Sequence, residues 1–147
     1  MAFKSNIKAF YQNNTDPLFV SYRLLVAIEL ALKDAKYPPL GSHDIPSMLA
    51  NAARSPTLSV APAIAPQLLS LSAKLKRDLG AITCQDKKGA PQSVPPASYP
   101  YIRYSRCAGD WGGASETPLS NLIALRDTCQ SICSFLSTHR NSIGVSI

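Results

Sequence analysis

The sequence predicts an all-α protein: a compact bundle of about five helices with a long loop, rich in proline and glycine, before the last helix. Three observations predict this fold. Apolar residues recur at helical spacing in several segments, proline and glycine fall between these segments, and the stretch from about Thr83 to Glu116 has no long periodic segment. Because the 147 residues are 46% hydrophobic and 16% charged, we predict a single folded domain over residues 1–147.

The first two predicted helices lie in the N-terminal quarter of the chain. Apolar residues at i, i+4 and i+7 in residues 3–10 indicate a short first helix. Asp16 is a suitable N-cap, and Pro17 suits the first position of a second helix that continues to about Lys36. This helix is apolar nearly all the way round between Leu24 and Leu32, which is typical of a helix surrounded by others. We therefore expect it at the centre of the bundle.

Glu29 interrupts the apolar part of this second helix, and two positions are open to it. With Lys33 four residues later it can form a favourable pair at an exposed or edge position. If it is buried instead, it needs a partner from another helix. We favour the exposed or edge position.

The remaining helices follow turn-forming residues. Ser42 or Asp44 can cap a short third helix with Pro46 in its first turn, and Thr117 followed by Pro118 begins the last helix. The fourth helix is amphipathic with a basic outer side. Its apolar stripe comprises Leu68, Leu71, Leu75, Leu79 and Ile82, and its basic side comprises Lys74, Lys76 and Arg77. The core face of the last helix comprises Leu119, Leu122, Leu125, Cys129, Ile132, Cys133 and Leu136.

An aromatic and basic segment, YPYIRYSR, begins at Tyr99 within the predicted loop and can include a short strand. Arginine and tyrosine together suit phosphate contact and base stacking, and they are also enriched in protein–protein hot spots. Alternatively, the tyrosine rings lie against the bundle and hold the loop down while their hydroxyls stay in water. We favour this clasp, followed by a protein interface and then nucleic acid. The candidate binding residues are Tyr99, Tyr101, Arg103, Tyr104, Arg106 and the nearby Trp111.

Little in the sequence indicates catalysis. The two histidines, His43 and His139, fall in no recognisable hydrolase, phosphate-cradling or kinase motif. We expect His43, at a helix start, to make a local capping or packing contact, and His139 with Arg140 to complement the dipole of the last helix. The four cysteines include no C-x2-C pair, and Cys129 lies on the core face of the last helix, so we predict no metal site and no cofactor.

Three segments together resemble the HEPN superfamily of prokaryotic helical bundles. They are the early helix YRLLVAIELALKDAKY, the helix start SHDIPSML, and an RYS segment in a loop before a final amphipathic helix. The resemblance covers the chain from about Leu18 to Leu136. It implies a ribonuclease of toxin or defence systems, or a non-catalytic nucleotide-binding or scaffolding member. The nucleases carry an arginine followed after four to six residues by a histidine, and neither His43 nor His139 has an arginine at that spacing.

We therefore expect a non-catalytic HEPN-like subunit or adaptor of an intracellular defence or toxin-type complex. We expect a protein partner. Because a formal net charge of +6 and a pI near 9.3 favour acidic partners, RNA or another polyanion is a further candidate. The alternative is a metal-independent ribonuclease with His139 as acid or base and Arg140, Arg103 or Arg106 holding the phosphate.

The N-terminal residues do not resemble a secretory signal, and no apolar run is long enough for a membrane span. We therefore expect a cytoplasmic protein with reduced thiols. Whether the chain forms a homodimer is left open by the sequence.

Overall fold

The computed structural model describes residues 16–55, 62–85, 91–93, 99 and 117–147. In these residues the chain forms five helices and two short strands. The helices are α1 (Pro17–Asp34), α2 (Ile45–Ala53), α3 (Ile64–Gly80), α4 (Leu119–Thr138) and α5 (Arg140–Ile143), and the strands are β1 (Thr83–Gln85) and β2 (Pro91–Ser93). The prediction of an all-α helical bundle is confirmed. The helix expected in residues 3–10 lies outside the described residues, and the single domain over residues 1–147 stays a prediction.

Four helices surround one apolar core. Helix α1 packs against α2 and α4, and α3 packs against the same two helices from the other side. Leu30 of α1 is 61% exposed, so one side of this helix is uncovered and α1 is not surrounded by other helices as expected. The fully buried side chains of the four helices include Leu25, Ile28, Leu32, Met48, Leu49, Leu68, Leu75, Leu79, Leu125, Ile132 and Leu136.

Both ends of α1 are held by hydrogen bonds that its sequence provides. The carboxylate of Asp16 accepts hydrogen bonds from the backbone N–H groups of Leu18 and Phe19, at 2.8 and 3.0 Å, so the predicted cap is confirmed. At the other end Lys36 has a φ of 66°, which turns the chain back on itself. The N–H of Tyr37 then reaches the carbonyl of Leu32 at 3.0 Å, and this bond closes the last turn.

Helix α2 begins where the sequence predicts. The Asp44 carboxylate accepts a hydrogen bond from the N–H of Ser47 at 3.1 Å, and Pro46 occupies the first turn. Ser42, the other predicted cap, contributes differently, because its hydroxyl accepts a hydrogen bond from the N–H of Asp44. Both polar residues therefore fix the connection between α1 and α2.

The long predicted loop begins with a small β-hairpin that the sequence analysis did not identify. Strands β1 and β2 are antiparallel, with Thr83 opposite Ser93 and Gln85 opposite Pro91. The hydroxyl of Thr117, directly before α4, accepts a hydrogen bond from the N–H of Thr83 at 2.9 Å. Because these two threonines lie 34 positions apart, the contact brings the two ends of the loop together.

Helix α4 differs from the prediction at its start. Its N-cap is Pro118, without a side-chain cap, since the Thr117 hydroxyl is used by Thr83. Leu119 is 62% exposed, so its assignment to the core face is wrong; it lies in the first turn, ahead of Leu125, the first fully buried leucine of the helix. In the parts of the chain that the structure describes, no helix is both long enough and apolar enough to cross a membrane.

Candidate functional site

A cluster of polar side chains surrounds the carboxylate of Glu29 on α1. One oxygen, Oε1, lies 2.8 Å from Nδ1 of His43 and accepts a hydrogen bond from the hydroxyl of Tyr99, also at 2.8 Å. The other oxygen, Oε2, lies 3.2 Å from the Nζ atom of Lys33, one helical turn away. The Glu29 side chain is 10% exposed and Tyr99 is 2% exposed. The cluster therefore joins α1, the α1–α2 connection and the loop before α4.

The partners of Glu29 keep its carboxylate ionised although it is buried. Burial by itself raises the pKa of this group, but the hydrogen bonds from His43, Tyr99 and Lys33 outweigh that effect and hold the pKa below its usual value. A buried carboxylate with these donors is satisfied on both oxygens. The positive charge of Lys33 offsets its negative charge.

His43 is the one member of the cluster that is largely open to solvent, with 52% of its side chain exposed. Because the ionised Glu29 carboxylate accepts hydrogen bonds and cannot donate them, we infer that Nδ1 of His43 carries the hydrogen. In the neutral ring, Nε2 then carries the free lone pair. The edge of this ring faces Tyr99, with 6.1 Å between ring centroids and 83° between the ring planes. A carboxylate and an aromatic ring thus orient an imidazole that can exchange a proton.

The sequence analysis predicted parts of this cluster. The Glu29–Lys33 pair is present, but the exposed or edge position favoured for Glu29 is wrong. The other alternative, burial, is the one observed, but the added partners His43 and Tyr99 come from the α1–α2 connection and the loop before α4 and not from another helix. The contacts of His43 are not local as expected, because Glu29 lies 14 positions earlier in the sequence and Tyr99 lies in the loop before α4. The signal that could have located the cluster is a carboxylate within an apolar helix, which requires donors from outside that helix.

The structure places Tyr99 in the interior. Its ring packs near Tyr22, with 6.1 Å between centroids, and its hydroxyl donates to Glu29. This position matches the predicted clasp, except that the hydroxyl is buried and does not stay in water. Tyr99 itself is thus not a surface for a partner. The other candidate binding residues, namely Tyr101, Arg103, Tyr104, Arg106 and Trp111, lie outside the described residues, and their role stays a prediction.

Of the residues of the alternative catalytic site, His139 lies between α4 and α5, and Arg140 is the first residue of α5. His139 is the C-cap of α4, and its ring lies against Phe135 with 4.5 Å between centroids. It borders an open depression of about 600 Å³ on α4 that is also lined by Asp127 and Thr138. Among the described residues, no carboxylate forms a hydrogen bond to His139. Its geometry therefore differs from that of His43, which Glu29 orients.

The three predicted basic residues of α3, Lys74, Lys76 and Arg77, are all exposed. They do not share one face, because 3.6 residues per turn place Lys74 and Lys76 about 160° apart around the helix. Lys76 points to the side of α2, where it lines a cleft, and Arg77 lies 3.5 Å from the carboxylate of Asp78.

Polar groups are also buried between α3 and α4. The Thr128 hydroxyl donates a hydrogen bond to the carboxylate of Asp78. Burial, followed by the nearby Cys133 and Asp78, raises the pKa of the Cys129 thiol. Such a thiol is a poor nucleophile at neutral pH, as expected for a cysteine that packs in a core. A search of the described residues finds no group of three or more metal-ligating side chains.

Comparisons with known proteins return no match to a protein-family model, a curated protein or a solved structure. The resemblance to the HEPN superfamily therefore stays a prediction from the residues of the chain.

Proposed function

We propose that this protein is a non-catalytic HEPN-like subunit or adaptor of an intracellular defence or toxin-type complex. It binds a protein partner through the aromatic and basic segment that begins at Tyr99. Tyr99 is the anchor, and the contact residues are Tyr101, Arg103, Tyr104, Arg106 and Trp111. RNA is the second class of partner that this segment suits.

The observation that carries this proposal is the burial of Tyr99 against Glu29. A tyrosine in the core, 70 positions away from its carboxylate partner, fixes the first residue of the segment to the bundle. A binding segment that starts from a fixed point loses less conformational entropy when its partner docks. The net charge of +6 supports an acidic partner.

The test is a tagged purification from the native host, with protein and nucleic acid identified before and after nuclease treatment. We expect a stoichiometric protein that survives nuclease treatment. The double variant Arg103→Ala/Arg106→Ala should lose this protein while its far-UV circular dichroism stays unchanged. A matched control, Lys36→Ala/Arg126→Ala, removes the same charge elsewhere on the surface and should keep it. Equal recovery with both double variants would remove the segment from the binding site.

A second candidate function, a metal-independent ribonuclease, is favoured by the geometry of His43. The sequence analysis assigned this activity to His139 and Arg140, yet His43 is the histidine that a buried carboxylate orients. An imidazole held in this way is suited to proton transfer. Incubation of fluorescent RNA with wild-type protein, His43→Ala and His139→Ala separates the possibilities. If the wild type cleaves RNA and one variant does not, the replaced histidine is the acid or base and the adaptor proposal is refuted. If the wild type does not cleave RNA, the ribonuclease is refuted and the adaptor proposal stands.

A further inference from the structure

A cleft of about 300 Å³ lies between α2 and α3. Asp44, Ser47 and Arg54 line it from the side of α2, and Ser72 and Lys76 line it from α3. The hydroxyl of Ser72 donates to the backbone carbonyl of Pro46, which ties the two walls together. This hydrogen bond holds the two sides of the cleft together, and both sides carry charged residues.

The described residues that line this cleft have a net positive charge. Arg54 and Lys76 are exposed, and within the described part of the chain neither side chain forms an ion pair or a hydrogen bond. Asp44 is the one carboxylate among the described lining residues, and one of its oxygens already accepts the N–H of Ser47. The described lining thus carries two positive charges and one negative charge.

We propose that the cleft binds a phosphomonoester that also carries hydroxyl groups. The guanidinium of Arg54 offers a planar pair of donors that matches two phosphate oxygens, and Lys76 adds a second positive charge. The second oxygen of Asp44 accepts a hydrogen bond from a ligand hydroxyl. Since 300 Å³ is at the lower end of ligand-pocket sizes, the cleft suits a small phosphate ester or the end of a chain. This inference does not depend on the proposed function.

The phosphomonoester has two sources, a free sugar phosphate and the 5′-terminal phosphate of RNA. The test is a titration of the full chain followed by two-dimensional amide NMR at constant ionic strength. The probes are ribose 5-phosphate, ribose, a 5′-phosphorylated tetraribonucleotide and the same oligonucleotide with a 5′-hydroxyl. We expect saturable shifts at residues 44–54 and 72–76 with ribose 5-phosphate and none with ribose. Saturation by the phosphorylated oligonucleotide without saturation by ribose 5-phosphate also supports the site and assigns it to RNA ends.

Variants of the two cations complete the test. Arg54→Gln and Lys76→Gln should each weaken binding about tenfold or more, because each removes a charge-assisted hydrogen bond. Lys74→Gln, two residues away on α3 and outside the cleft, is the matched control and should change affinity less than twofold. The same spectra show whether each variant is folded. The proposal is overturned if no phosphorylated probe saturates the shifts, if the 5′-hydroxyl oligonucleotide binds equally well, or if Lys74→Gln weakens binding as much as the cleft variants.

Discussion

Replacing Tyr99 with Phe removes the hydroxyl that donates a hydrogen bond to Glu29 and leaves the aromatic ring in place. A hydrogen bond to a charged group contributes about 1.5–3 kcal/mol to stability. Glu29 keeps its contacts with His43 and Lys33 in the variant, and its side chain is 10% exposed, so water can replace part of the loss. We therefore expect the Tyr99→Phe variant to lose about 1.5–2 kcal/mol of unfolding free energy, near the lower end of that range.

The assay is urea unfolding followed by far-UV circular dichroism at neutral pH. A change in the midpoint with an unchanged m-value reports a change in stability. For a chain of this length the same loss lowers Tm by roughly 3–8 °C. A double-mutant cycle with Glu29→Gln should then give a coupling free energy of about 1–2 kcal/mol between the two side chains, since the residues are in direct contact.

Tyr37→Phe is the matched control, because Tyr37 is also buried and its hydroxyl donates to a neutral acceptor, the carbonyl of Ile143. Its loss should be smaller, about 0.5–1.5 kcal/mol, and should not couple to Glu29→Gln. The clasp would be refuted by a Tyr99→Phe variant within about 0.5 kcal/mol of the wild type together with a coupling free energy near zero.

Three further predictions concern other buried polar groups. Folding lowers the pKa of Glu29, so its ionised carboxylate stabilises the folded state. This contribution is complete above the pKa of an unfolded Glu, about 4.3, and is lost as pH falls through the lower pKa of the folded state. Urea unfolding at a series of acidic pH values should thus show a shallower loss of stability in Glu29→Gln than in the wild type, and equal slopes would contradict this. Thr117→Val should cost about 1 kcal/mol, because the partly buried N–H of Thr83 loses its acceptor, while Thr117→Ser should retain most of that stability in the same urea assay. At neutral pH, iodoacetamide should modify Cys129 rapidly only after urea unfolds the chain, because the thiol is buried in the native protein. Rapid modification of the native protein would contradict this burial.

The helices were predictable because their signals are local. Asp16 and Asp44 cap the helices that begin directly after them, and the spacing of Leu68, Leu75 and Leu79 alone defines the buried side of α3. Each signal depends on residues within one or two turns. Leu119 was assigned wrongly because periodicity gives the direction of a side chain and does not show whether a neighbour covers it there.

The polar cluster could not be assembled from the sequence because its members meet through the fold. Glu29 and Tyr99 lie 70 positions apart, and nothing in either local pattern names the other. The sequence left two alternatives for Glu29, exposed or buried, and three for the segment at Tyr99: a clasp, a protein interface or a nucleic-acid site. Choosing between them required the path of the chain between α3 and α4, which periodicity does not determine.

In the described residues between α3 and α4, the Thr83–Thr117 contact adds to the pairing of β1 with β2, and Tyr99 is anchored on Glu29. Tyr99→Phe keeps the buried ring and removes only the hydroxyl. Loss of the Tyr99 hydroxyl therefore acts mainly on stability through its hydrogen bond. Loss of Arg103 and Arg106 acts mainly on affinity in the proposed function, so the anchor and the proposed contact residues are separable by experiment.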